Sequence, residues 1–288
     1  MLKAPGRPTD PLQLADWVEI RTLLAADRNA SRMEMQSLLR LAAVGTEEEQ
    51  ERLVLSAFRE LDRRATASGQ AYPFTVEGSL VSLRTKRWQE YPVYVFCLLV
   101  SYLGVRKMAG LDAARLFEEI ATLVASRYVG GPAAQFGFPR RTLPRRFSEA
   151  VQAICNEMRE GTGFRNSGAR PNAKDEALDI AAWRPFQDLL PGKLILFGQC
   201  AAGEDWFDKR SDLDPMSFCR KWLQEQPVIT PTKAFFVPHA VEANGWYHLG
   251  CDAGIVFERC RIAYWSHGAA PFAKQVRWSK SILDSVQE

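Results

Sequence analysis

Apolar residues fall at helical spacing over most of the first 130 positions. Leu12, Leu14, Trp17, Val18, Ile20 and Leu24 predict a helix over about 11–26, spread too widely for a narrow stripe. A polar break, Asp27-Arg28-Asn29-Ala30-Ser31, follows. Ser31 with Glu34 three residues on has the form of a capping box, so a second helix starts there and runs to about Ala43. Thr46-Glu47-Glu48-Glu49 starts a third, with its acids at the positive end of the helix dipole. Two short strand-like pieces, 73–76 and 80–83, surround Gly78. Residues 91–103 are almost wholly apolar, which predicts a buried helix. Leu116, Ile120, Leu123 and Val124 predict another over 111–128, stopped by Gly130-Gly131-Pro132. Three helices followed by a hairpin is the order of a winged helix, which binds DNA or packs against a partner. The second helix opens Arg32-Met33-Glu34-Met35-Gln36-Ser37 and is not strongly basic, which favours the structural or dimerising role.

From residue 175 the pattern turns to strands. They are predicted at 177–183, 193–199, 234–238 and 254–262, with helices over about 147–159, 205–211, 215–224 and 272–286. The expected class is mixed α/β, a core sheet flanked by helices and preceded by a helical, winged-helix-like module. The expected division is 1–88 and 89–288.

With 288 residues and 47% hydrophobic content, the chain is long enough for two cores. Its 37 basic and 34 acidic side chains are too balanced to announce a nucleic-acid protein. Residues 140–174 depart from that balance. Arg140, Arg141, Arg145, Arg146, Arg159, Arg165, Arg170 and Lys174 face only Glu149, Glu157 and Glu160. Such a run is either a solvated face or a surface that tracks a phosphate backbone. None of the six cysteines forms a C-x-x-C pair, so zinc-finger spacing is absent. The start, MLKAPGRPTD, lacks the apolar segment of a signal peptide, and the run 93–103 is shorter than the ~20 residues that span a bilayer. A cytoplasmic compartment with reduced thiols and no membrane contact is expected.

The candidate chemistry gathers between 175 and 209. Asp179 falls on the first predicted strand of this region and Gln199 ends the second. Paired as neighbours, the two strands bring a carboxylate and an amide carbonyl together. Both are hard oxygen donors that suit Mg²⁺. The plainer reading is a surface Asp and a strand-end Gln with no metal. Cys200 offers a rival, a thiol nucleophile with His239 as base. Against it, Gln199 and Cys200 are adjacent and point to opposite faces of a strand. His239, His248 and His267 fit no short zinc pattern. Trp206, Phe207, Trp246 and Tyr247 could stack on bases or belong to the core. On a strand, Arg259 and Arg261 would share one face, open to phosphate or to an ion pair.

The stretch FSEAVQAICNEMRE…KDEALDIAAWRPF…PGKLILFGQCAAG resembles the core of the restriction-endonuclease-like nucleases, the PD-(D/E)xK superfamily, in its Mrr-like form with D on one strand and Q-x-K on the next. The similarity covers about 147–224. It implies a metal-dependent nuclease acting on double-stranded DNA with Mg²⁺ or Mn²⁺. Asp179 matches the family's Asp and Gln199 its Gln. A Glu on the preceding helix often completes the metal site; Glu149 is the match, with Glu118 as the alternative. The lysine falls on Ala201. Either Lys209 supplies the charge from the next helix, or the chain has lost cleavage and keeps a DNA-binding or assembly role. Arg140, Arg141, Arg145, Arg146, Arg165, Arg170 and Lys174 would line the DNA. The resemblance further implies prokaryotic defence, a partner such as an ATPase or helicase subunit, and dimerisation as an open possibility.

Overall fold

In the computed structural model, which describes residues 9–104, 107–166, 176–269 and 272–287, the first helix begins at a side-chain cap. Asp10 Oδ1 accepts from the Leu12 N–H at 2.9 Å, and Pro11 takes the first position of α1 (Pro11–Leu24), where no N–H is needed. β1 (Asn29–Ser31) runs into α2 (Arg32–Leu41). The expected capping box forms there: Ser31 Oγ accepts from Glu34 N, and the Glu34 carboxylate accepts from Ser31 N. Thr46 and Glu49 make a second box at the start of α3 (Glu47–Ser68). β2 (Phe74–Glu77) and β3 (Leu80–Leu83) form the expected hairpin. β1 joins them, giving an antiparallel sheet in the order β1-β3-β2. Then come α4 (Pro92–Leu103), the short pair β4 (Lys107–Met108) and β5 (Leu111–Asp112), and α5 (Ala113–Val129). β6 (Ala133–Gln135), α6 (Phe147–Met158), β7 (Ile180–Trp183), β8 (Ile195–Cys200), α7 (Pro215–Trp222), β9 (Thr232–Phe236), α8 (Trp246–Ala253) and β10 (Ile255–Phe257) follow. α9 (Arg259–Ser266) and α10 (Ala273–Gln287) complete the chain.

Two compact units result. The first gathers residues 1–116, 238–242 and 258–288, and the second 117–237 and 243–257. The boundary expected at residue 88 lies inside the first unit, because the apolar α4 packs against α1, α9 and α10. At the centre of this unit is a buried charge network. Arg64 reaches Asp16 at 2.7 Å, Glu19 at 2.9 Å and Glu60 at 2.8 Å. Arg259 grips both Asp16 oxygens, at 2.6 and 3.0 Å. The hydroxyls of Tyr72 and Tyr94 each donate to Glu19 at 2.8 Å. Both guanidiniums are fully buried, so each depends on these carboxylates to offset its desolvation.

The second unit is built on a five-stranded sheet in the order β10-β9-β8-β7-β6. β6, β7 and β8 pair antiparallel, and β8, β9 and β10 pair parallel. Ala181, Trp183, Ile195 and Phe197 form one apolar core with Ala150, Val151 and Ile154 of α6 and Phe218 and Trp222 of α7. Two expectations are corrected here. The strand predicted over 254–262 stops at Phe257, because the Glu258 carboxylate accepts from the N–H groups of Cys260 at 2.9 Å and Arg261 at 3.3 Å and so starts a helix. Arg259 and Arg261 therefore do not share a strand face, and Arg259 is interior. The helix expected over 205–211 is a single 3₁₀ turn, Asp208–Ser211. Among the described residues, no helix is long and apolar enough to cross a membrane.

Candidate functional site

Asp179 is fixed by backbone on both sides. Its N–H donates to the Gly198 carbonyl at 2.9 Å. Its carbonyl accepts from Phe136 N at 2.6 Å and Gly137 N at 3.0 Å, just past β6. Its side-chain Oδ2 accepts from Cys200 N at 2.7 Å. The carboxylate is thus held where the ends of β6 and β8 flank the start of β7. The chain enters this position strained: Glu176 (φ 53°) and Ala177 (φ 63°) are consecutive non-glycine residues in the left-handed region. That conformation costs on the order of 1 kcal/mol per residue and collects at functional sites.

A second carboxylate comes from α5. Glu118 Oε2 accepts from Gln135 Nε2 at 2.5 Å, so the last residue of β6 orients a helix side chain. Gly137 leaves room where the two acids meet. A methyl group on its Cα would stand 2.8 Å from Asp179 Oδ1 and 3.3 Å from Glu118 Oε2. Gln199 follows Gly198 and precedes Cys200, the two residues whose backbones hold Asp179. It is buried, and among the described residues its Oε1 has no hydrogen-bond partner. Leaving a buried carbonyl oxygen unmatched costs about 1–3 kcal/mol.

The structure brings together some of the expected residues. Asp179 and Gln199 lie at the same end of paired strands, and Glu118 joins Asp179. Glu149 takes no part: it lies on the outward side of α6, half exposed, paired with Arg146 at 3.5 Å. α6 presents Phe147, Ala150, Val151, Ile154 and Cys155 to the core, which turns position 149 to solvent. Ala201 is buried and its N–H donates to the Phe236 carbonyl, so the lysine's place is filled by packing. Lys209 lies on the 3₁₀ turn with its Nζ 2.9 Å from Asp205.

The basic segment divides. Arg140 is buried, its guanidinium 4.5 Å from the centre of the Phe136 ring, and it donates to the Arg145 carbonyl. Arg165 donates to the carbonyls of Leu223 at 2.8 Å and Gln224 at 3.1 Å, capping the C-terminal end of α7. Arg140 is thus taken up by the fold, while Arg165 braces the end of α7 from an exposed position. Arg141 pairs with Glu119 on the surface, and Arg145 and Arg146 are exposed. Arg170 and Lys174 lie outside the described residues.

The thiol reading loses its nucleophile. Burial, with Asp179 and Glu118 nearby, pushes the Cys200 thiol well above its ordinary value, so it stays protonated. The His239 Nδ1 instead lies 3.1 Å from Ser101 Oγ. Trp206 packs edge-on to Phe207, while Tyr247 is exposed on α8.

Sequence reasoning missed Gln135 and Gly137. Gln135 ends a strand too short to show alternation, directly after a glycine-rich stop, and Gly137 lies two residues past it. As a donor set, the two carboxylates are hard oxygens, which suits Mg²⁺ or Mn²⁺. The two carboxylates that meet over Gly137 fit such an ion. Gln199 alternates with Cys200, the residue beside these acids, and follows Phe197 on the face that packs on α6 and α7, so its side chain is not placed with them. Among the described residues no three His, Cys, Asp or Glu side chains gather closely enough to hold a metal on their own. Comparison with protein families, curated proteins and solved structures returns no match to the chain.

Proposed function

We propose that this chain is a divalent-metal-dependent nuclease acting on double-stranded DNA, with Glu118 and Asp179 at its site. The observation that carries the reading is the convergence of two carboxylates over Gly137. The element order supports it. From α6 the chain runs helix, strand directly after Asp179, hairpin, strand bearing Gln199, and helix α7, which is the order that the sequence resemblance implies for a restriction-endonuclease-like core. The order α1-β1-α2-α3-β2-β3, with β1 beside β3, likewise supports a winged-helix module in the first unit.

Asp179 would supply one ligand to the cation, at a position set by the backbone around it. Glu118 would supply a second, oriented by Gln135. A bound divalent cation polarises a phosphodiester and lowers the pKa of a water. The chain offers no lysine on β8, and Arg141, Arg145 and Arg146 are left to meet phosphates. The setting in prokaryotic defence, with an ATPase or helicase partner, rests on the resemblance alone.

The test is Mg²⁺- or Mn²⁺-dependent cleavage of plasmid DNA. Asp179→Ala and Glu118→Gln are expected to lower it by at least about a hundredfold, and Glu149→Gln by less than about twofold. Equal cleavage by wild type and Asp179→Ala would sink the reading. Buried Ala201 and the Asp205-paired Lys209 favour a second reading, a nuclease fold that binds DNA without cutting it. It predicts retarded DNA in a gel shift with no metal-dependent product.

A further inference from the structure

The end of the β7–β8 hairpin remote from Asp179 carries a second feature. Phe186, Leu189, Leu190, Leu194, Val228 and Ile229 are each between 43% and 65% exposed. They come from two loops that are tied together. The buried Glu160 carboxylate accepts from Gly192 N at 2.6 Å through Oε1 and from Val228 N at 3.3 Å through Oε2. A methyl on Gly192 would touch Val228 at 3.7 Å, so the two loops form one continuous surface. Leu189 holds a left-handed backbone (φ 61°), which an aliphatic residue rarely adopts and which keeps the Leu189-Leu190 pair at the loop tip.

The occupant follows from area and charge. At about half exposure, six such side chains present on the order of 500 Å² of apolar surface, at the upper end for a monomer's largest patch. A standard interface buries about 800 Å² per partner, and about 65% of a homodimer interface is apolar. The patch therefore supplies nearly the whole apolar share of one side. It is also poor in charge. Residues 185–192 contain only Asp188, whose Oδ1 accepts from Leu190 N, and 226–231 contain no charged residue. Nothing there would attract nucleic acid. The segment 167–175, SGARPNAKD, has no large apolar side chain with which to cover it. A surface this poor in charge meets a copy of itself without like-charge repulsion, as a two-fold contact requires.

We infer that a second copy of this chain docks on this patch through an isologous contact of the 186–194 and 228–229 loops. The inference does not depend on the nuclease reading.

The experiment is sedimentation velocity on the full chain over a range of concentrations. Wild type is expected at twice the 32.5 kDa chain mass. Leu190→Asp with Val228→Asp is expected to raise the dimer dissociation constant by about a hundredfold or more, since each change is felt twice in a two-fold contact. Both side chains are exposed, and circular dichroism checks that the variant is folded. Leu41→Asp, on the exposed face of α2, is the control and is expected to stay dimeric. A wild type that remains monomeric, including one that binds a different protein, overturns the inference. So does a double variant that stays dimeric, or a Leu41→Asp control that dissociates.

Discussion

Glu118 Oε2 and Asp179 Oδ1 converge on the open side of Gly137, 3.3 and 2.8 Å from where a methyl group there would stand. The acids come from a helix and a strand, and the glycine between them has no strained φ that alanine would have to adopt.

Gly137→Ala therefore tests the space and not the backbone. The methyl must push Asp179 or Glu118 aside, while Asp179 is pinned through Cys200 N. The expected stability loss is about 1–3 kcal/mol. The expected fall in metal-dependent cleavage is at least tenfold, about the scale of a small misplacement at a reacting centre. Melting and cleavage measured on one preparation separate the two effects.

In the first unit, Arg64→Met leaves Glu19 and Asp16 buried with one cationic partner fewer. Breaking such a network costs about 3–5 kcal/mol. A urea titration is expected to show a lower midpoint, and Arg64→Lys is expected to recover only part of it, because one ammonium cannot replace the forked contacts to Asp16, Glu19 and Glu60.

Acid weakens the same unit. Burial pushes the Asp16 carboxyl up, but Arg259 and Arg64 outweigh it and hold it below the usual range. Glu60 is buried too, and Arg63 and Arg64 hold it below its usual value. A carboxyl whose pKa is depressed by folding contributes stability that is present above its unfolded pKa and lost as pH falls through the folded one. Stability is expected to drop below about pH 4. Asp16→Asn, measured by the pH dependence of the urea midpoint, is expected to flatten that slope.

Among the six cysteines only Cys251 is exposed, and none is in a disulfide. The native protein is expected to react with an aromatic disulfide reagent at one fast thiol, and Cys251→Ser is expected to remove it. Burial raises Cys155 to about 11 and Cys97 and Cys219 to about 12, which keeps them protonated at neutral pH. Fast reaction at Cys200 in the Cys251→Ser variant would reopen the thiol reading.

Local signals in the sequence carried far. Ser31 and Glu34 mark a helix start because both partners of the cap lie within one turn. Asp179 and Gln199 can be paired in advance because consecutive strands usually lie side by side. Between the two glutamates the sequence offered, Glu149 lies on α6, which stands between β6 and β7 and turns it to solvent, while Glu118 on α5 meets Asp179. Glu118 is brought in by Gln135 on a three-residue strand, too short for any period to show. Arg140 looked like part of a basic surface; only the ring of Phe136, Phe138 and Phe147 around it explains why it is interior. Arg259 misled for a related reason. An apolar run on both sides of it reads as strand, and the Glu258 cap that breaks the run is visible only as geometry.

The pairing of Asp16 with Arg259 also sets an order of events during synthesis. Asp16, Glu19 and Arg64 emerge from a ribosome long before Arg259. At roughly 5–20 residues per second, the wait from Arg64 to Arg259 is about 10–40 s. Throughout it the early helices carry an acidic pair with half of its cations missing. Residues 117–237, by contrast, complete most of their own sheet as they appear. The part of the chain made first is thus the part that can close last.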